Sequence, residues 1–180
     1  MRVYIPATIP MLRQLVAERE FSPVSRTAFA VTPALREAYN SGDDEELAEV
    51  AMAEAARASL RLIAAATPDE DEGEGGDGGE AGEVAPMSRR AVIAADVDDV
   101  KLRPDLDDAV VRLADVLTLS QVASVHVDLA EAESDIAKAA QVVDAADLGD
   151  PDAEFVLGDA EDHELAWYAT QELPFLLELL

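Results

Sequence analysis

The stretch RVYIPATIPMLRQLV, residues 2–16, decides the reading of the fold. Its first six residues, Arg2 to Ala7, are rich in strand-forming side chains. Thr8 then stands where a helix N-cap belongs, with Pro10 in the first turn, where a missing N–H leaves no helical bond unmade. Met11, Leu12, Leu15 and Val16 supply one apolar helical face. The junction recurs twice. TAFAV (27–31) runs into Thr32-Pro33 and a helix over Ala34 to Tyr39, and LAWYA (165–169) runs into Thr170 and a Leu-rich end. Strand–Thr–helix units predict an α/β or α+β fold: a single domain, a mixed β-sheet with helices packed on it.

Asn40-Ser41-Gly42 stops the second helix, and Asp43 or Asp44 caps a longer one to about Ile63. At 100° per residue Leu47, Ala51, Ala55, Ala58 and Leu62 share a stripe, opposite Glu46, Glu49, Arg57 and Arg61. Further strands are expected over 89–97, 107–113 and 123–128. A helix then follows with Leu129, Ala132, Ile136, Ala140 and Val143 on one face. Asp144 to Glu164 reads as acidic and irregular, with one short strand at Phe155-Val156-Leu157. Residues 67–88 open at Thr67-Pro68 and hold a run of Asp, Glu and Gly that cannot bury apolar area. The expected organisation is therefore 1–66 as N-terminal βα units, 67–88 as a disordered acidic loop, and 89–180 as the β-rich remainder of the same domain.

The 180 residues carry 13 Lys and Arg against 39 Asp and Glu, a net charge of −26, with no Cys. Only Lys101 and Lys138 are lysines. The acidic run contributes eight of the negative charges, which leaves −18 on the rest. Absent thiols exclude disulfide scaffolds and thiolate metal sites. The charge disfavours nucleic-acid backbones and favours a basic protein partner or a cation. No secretory h-region and no run of about 18 apolar residues is present, so neither membrane insertion nor export is expected, and the location implied is cytoplasmic.

MRVYIPAT, FAVTPALREAY, DDEELAEVAMAEAARASLRLI, VASVHVD and AEDHELAWYATQELP together resemble a family of actinobacterial proteins of unknown function. The resemblance spans most of the chain outside the acidic run. It implies a single cytoplasmic domain and brings no catalytic residue with it.

Candidate chemistry centres on few residues. Ser124, His126 and Asp128 alternate along one strand and so share a face. Their Cα atoms are spaced by about 6.6–7 Å, long for a catalytic relay, and no Gly-x-Ser-x-Gly elbow accompanies them. A polar sheet face is the expectation. Asp150, Asp152, Glu154 and Glu161 occupy positions 1, 3, 5 and 12 of a calcium-loop template, but Phe155 replaces the glycine that template needs at its turn. A solvated loop is expected there. His163, between Asp162 and Glu164, cannot converge with its immediate neighbours on one ion, and no metal or cofactor is expected. Of Trp167 and Tyr168, one should anchor in the core and one lie at the surface. The glycines cluster in the acidic run, which excludes a Gly-rich phosphate loop. The apolar end should dock as a core-closing helix, or else present Phe175, Leu176, Leu179 and Leu180 to a partner.

Two functions follow. The first is a non-enzymatic interaction or regulatory domain that binds another protein, through its acidic surface on a basic partner or through the apolar C-terminus. The second is a small enzyme or ligand-binding domain with a polar site near Ser124, His126, Asp128, His163 and Tyr168. The second requires both histidines to meet in one concavity. Mimicry of nucleic acid by rows of carboxylates is a weaker third.

Overall fold

The structure is a computed structural model that describes residues 1–66 and 87–180. The acidic loop expected over 67–88 thus falls, for 67–86, outside the described residues. In chain order the elements are β1 (Arg2–Ala7), α1 (Ile9–Glu18), β2 (Glu20–Phe21), β3 (Thr27–Phe29), α2 (Pro33–Ala38), α3 (Asp44–Ala66), β4 (Ala91–Asp96) and β5 (Val100–Leu102). They continue with β6 (Val110–Leu113), β7 (Leu117–Thr118), β8 (Val122–Val127), α4 (Glu133–Asp147), α5 (Pro151–Glu161), β9 (Ala166–Ala169) and α6 (Leu173–Leu179).

Seven strands form one sheet in the order β5-β6-β3-β1-β4-β8-β9, and β2 pairs with β7 in a small separate ribbon. A single sheet with helices packed on it is what the strand–Thr–helix units predict. The mixed sheet expected from them is corrected in one respect: every pairing among the described residues is antiparallel. Left-handed residues Arg19, Ser25 and Arg26 turn the chain between α1 and β3. The chain then returns to the sheet running against β1 rather than along it.

The threonines act differently from one another. Thr32 caps α2 by accepting from the Leu35 N–H, and its hydroxyl donates to the Asp108 carbonyl. Thr8 precedes α1 without a side-chain cap. Thr170 donates to the Val122 carbonyl at 2.9 Å, and so ties the chain after β9 to β8.

β1 and β4 pair over six residues, from Arg2↔Asp96 to Ala7↔Ala91, and both faces of this pair are covered. Val3, Ile5, Ile93, Val125 and Val127 meet Leu12 and Leu15 of α1 and Leu173 and Leu176 of α6 on one side. Phe29, Val92 and Val110 meet Leu47, Ala51 and Ala55 of α3 on the other. The second half of α3 leaves the sheet and packs Leu60 and Ile63 against Ile136, Val143 and Leu157 of α4 and α5. This change of partner explains why the expected stripe holds for Leu47, Ala51 and Ala55 but shifts to Ser59, Leu60 and Ile63 further on.

The acidic stretch 144–164 is corrected as well. It is helical, with α4 reaching Asp147 and α5 spanning Pro151–Glu161, and no strand forms at Phe155. Gly149, at φ 94°, makes the left-handed turn between the two helices. Asp150 then caps α5 by accepting from the Asp152 and Ala153 N–H groups. Ala153, Leu157 and Ala160 give that helix its buried side. The strand expected from Asp107 begins only at Val110, because Asp107 accepts from the Ala109 N–H and closes a turn.

Ser59 joins the helix layer to the sheet. Its hydroxyl donates to the Ala7 carbonyl at 2.6 Å and accepts from the Ala91 N–H at 3.0 Å, fully buried. Ser59→Ala strands both backbone groups away from water. A loss of about 2–3 kcal/mol in urea unfolding is expected, and a loss under about 0.5 kcal/mol, the level of an ordinary surface substitution, would show that the bridge is not needed.

Candidate functional site

A cleft of about 600 Å³ opens where the middle of α3, the end of α5 and the β8–β9 edge meet. Glu49, Met52, Ala53, Glu54, Ala56 and Arg57 come from α3, Glu161 from α5, and His163, Glu164 and Leu165 from the segment entering β9. Arg90 and His126 complete its wall from the sheet. Sheet register places His126. It stands opposite Val92 on one side and Trp167 on the other, and opposed residues of an antiparallel pair point the same way. Val92 packs against α3, so His126 and Trp167 also lie on that face.

The two histidines therefore line the same concavity, as the second functional reading requires. Ser124 Oγ and His126 Nε2 lie 3.1 Å apart. The Cα spacing suggested that they would not meet, but the side chains lean toward each other along the strand and close the gap. Burial lowers the His126 pKa, which favours the neutral imidazole. His163 Nε2 stands 2.8 Å from Asp135 Oδ2, on α4.

Asp128 does not join this row. Its carboxylate accepts from the Arg90 backbone N–H at 2.8 Å, from Nε at 2.9 Å and from Nη2 at 2.9 Å. The same Nη2 donates to the His163 carbonyl at 2.8 Å. Arg90 and Asp128 are 5% and 1% exposed. They form the buried clasp that fixes the cleft's sheet-side wall. Tyr168 is removed from the site altogether: it stands opposite Val125 and packs into the α1–α6 core. Trp167 is the surface aromatic, 60% exposed.

The cleft's charge is lopsided. Arg57 is already held by Asp147 at 3.0 Å and Glu154 at 3.1 Å, and lies 3.7 Å from Glu161. Arg61, then Arg57, keep the Asp147 carboxyl below its usual range. Arg90 belongs to Asp128. Glu49, Glu54 and Glu164 make no ion pair among the described residues, and Glu161 has only the long contact to Arg57. Burial pushes the Glu54 carboxyl up, and the nearby Asp107 adds to that, although Arg61 and Arg57 oppose it.

Two of the four calcium-template residues are spent on structure: Asp150 caps α5 and Glu154 holds Arg57. Among the described residues no group of three or more His, Asp or Glu is placed to hold a metal. The apolar end docks as α6. Leu176 is buried and Leu180 packs on the main core, while Phe175 and Leu179 face outward, 69% and 86% exposed. The four residues are thus not one surface. No helix among the described residues is long and apolar enough to cross a membrane.

Residue chemistry in isolation misses Arg90, Glu54 and Arg57. Arg90 carries one usable signal, a charge at the start of an apolar strand with Asp128 at the end of another. Glu54 and Arg57 read as ordinary polar positions on α3.

A family profile described as "Family of unknown function (DUF6912)" matches residues 1–177, and the chain belongs to that family. No curated protein and no solved structure gives a significant match.

Proposed function

We propose that this DUF6912 member is a protein-binding module whose cleft takes a cationic segment of a basic partner. One observation carries the reading. The cleft gathers Glu49, Glu54, Glu161 and Glu164 around an apolar floor of Met52, Ala53, Ala56 and Leu165, while its two arginines are neutralised by residues of the fold itself. A lysine or arginine side chain suits such a place: its stem covers apolar surface and its head meets the rim carboxylates. Exposed Trp167, on the same face, offers a ring for cation–π contact.

Trp167 is the single tryptophan, so its emission reports the site. Titration with a decapeptide alternating lysine and leucine should give a saturable change that weakens strongly toward ~0.5 M salt. Glu54→Gln separates binding from folding. The raised Glu54 pKa means that the ionised carboxylate destabilises the fold at neutral pH, so the variant should be as stable as the parent or more so, by roughly 0.5 kcal/mol or less once screening is counted. It should nevertheless bind the peptide less well at pH 7. In the parent, affinity should fall as the pH drops through the raised Glu54 pKa, because only the ionised form holds a cation. Unchanged peptide affinity in Glu54→Gln contradicts the reading.

The Ser124–His126 pair favours a second reading, a small-molecule ligand in the same cleft hydrogen-bonded to the neutral imidazole. Under that reading His126→Phe would abolish binding of the ligand, whereas it should leave peptide affinity within about threefold, a change of about 0.7 kcal/mol.

A further inference from the structure

We propose that Lys101 and Arg112, at the opposite end of the sheet, form a binding site for an oxyanion. The two side chains stand directly across the β5–β6 pair, Lys101↔Arg112. Like charges at opposed positions of a pair repel, and sheets rarely place them so without a compensating group. Here no direct ion pair supplies one. Neither residue makes an ion pair within 4.0 Å among the described residues, although the chain carries 39 carboxylates.

The second observation is independent of charge. Arg112 Nε is buried and has no hydrogen-bond partner, and it is the one buried side-chain polar atom in that state among the described residues. An unpaired buried donor is costly, and a charged one more so. The closest explanation within the fold would be Asp105, whose carboxylate does feel Arg112. It is already gripped by Arg103 through Nε at 2.8 Å and Nη2 at 2.6 Å, which pulls its carboxyl down to about 2.

Space is available for a ligand. Lys101 and Arg112 border a shallow cavity of about 350 Å³ together with Asp99, Val100, Leu113 and Ala114. With Nε buried, the guanidinium's two Nη groups are the donors left open to meet oxygens of a carboxylate or phosphate, and the opposed ammonium meets the same charge from the neighbouring strand. Thr27, across from Arg112 on the other side, extends the row to three strands. Asp99 sets a limit on the ligand: it favours a compact anion held at the guanidinium over a bulky polyanion. The chain's overall negative field does not forbid this, since screening confines it to about 8 Å at physiological ionic strength.

The test is an NMR titration of the full-length ¹⁵N-labelled protein with inorganic phosphate and, separately, with sodium acetate, at constant ionic strength. The expected result is a saturable shift of the Arg112 Nε–H signal and of the Lys101 and Leu113 amides. Saturation by phosphate alone identifies a phosphate-type ligand, and saturation by acetate identifies a carboxylate. Lys101→Gln, at an exposed position that the fold does not need, should weaken binding about tenfold. Arg112→Lys keeps the charge, removes the planar pair of Nη donors, and should weaken it comparably. Shifts that never saturate and appear equally at Arg13, Arg19 and Arg26 indicate an adventitious ion only and overturn the proposal. So does a Lys101→Gln variant that binds as the parent does.

Discussion

Replacing Asp128 by Ala should cost the fold about 3–5 kcal/mol, the cost of breaking a buried ion pair from one side. The carboxylate accepts three N–H bonds from Arg90, and both residues are almost wholly buried. Removing it leaves a guanidinium in a dry interior with one remaining partner, the His163 carbonyl. In a domain of this size the loss corresponds to a melting temperature lower by roughly 10 °C or more. The pair itself should contribute far less than this, because bringing two charges out of water is costly. The double change Arg90→Met with Asp128→Leu should therefore recover most of the lost stability. If Asp128→Ala lowers stability by under about 1 kcal/mol, the clasp behaves like a surface ion pair and the account of the cleft wall fails.

Reversing the cleft rim with Glu49→Lys, Glu161→Lys and Glu164→Lys together should weaken binding of the lysine–leucine peptide roughly 100-fold. Each site exchanges an attraction of up to about 1 kcal/mol for a repulsion, and about 3 kcal/mol in total is some two decades of affinity. All three side chains are exposed, so the fold should survive, with far-ultraviolet circular dichroism unchanged. The reversed protein should also lose most of the parent's salt dependence. Equal affinity in parent and triple variant would mean that the peptide is held elsewhere on the acidic surface.

The two halves of the molecule were unequally legible in the sequence. The strand–Thr–helix junctions placed β1, β3 and β9 and the helices that follow them, because hydrophobic runs and helix-start signals are local. α5 escaped detection: its Asp and Glu residues dominate the composition, while its buried side consists of Ala153, Leu157 and Ala160, of which two are too small to mark a stripe. The two-residue strands β2 and β7 carry no period at all. At the site, a concavity shared by His126 and His163 is a condition of the second functional reading, and both residues line the cleft. Asp128 was grouped with them because alternation along a strand shows which face a residue shares. It does not show that a buried arginine from the neighbouring strand will claim the carboxylate. Tyr168 was misplaced for the converse reason, since its face depends on pairing with β8, a register no local pattern reveals. The C-terminal end docks as the core-closing helix that its apolar run predicts, but the run does not show which side is which: helical geometry turns Leu176 to the core and Phe175 and Leu179 outward.

The cleft's role as a receptor for a cationic segment is tested most directly by mapping amide shifts of the full-length protein as the lysine–leucine peptide is added. The account predicts saturable shifts concentrated on Met52 to Arg57, His126 and Glu161 to Trp167, reversed by salt and absent when Glu54 and Glu164 are both changed to Gln. Shifts spread instead over the outer faces of α4 and α5, at Asp144, Asp152 and Asp159, or unaffected by those two changes, would contradict it.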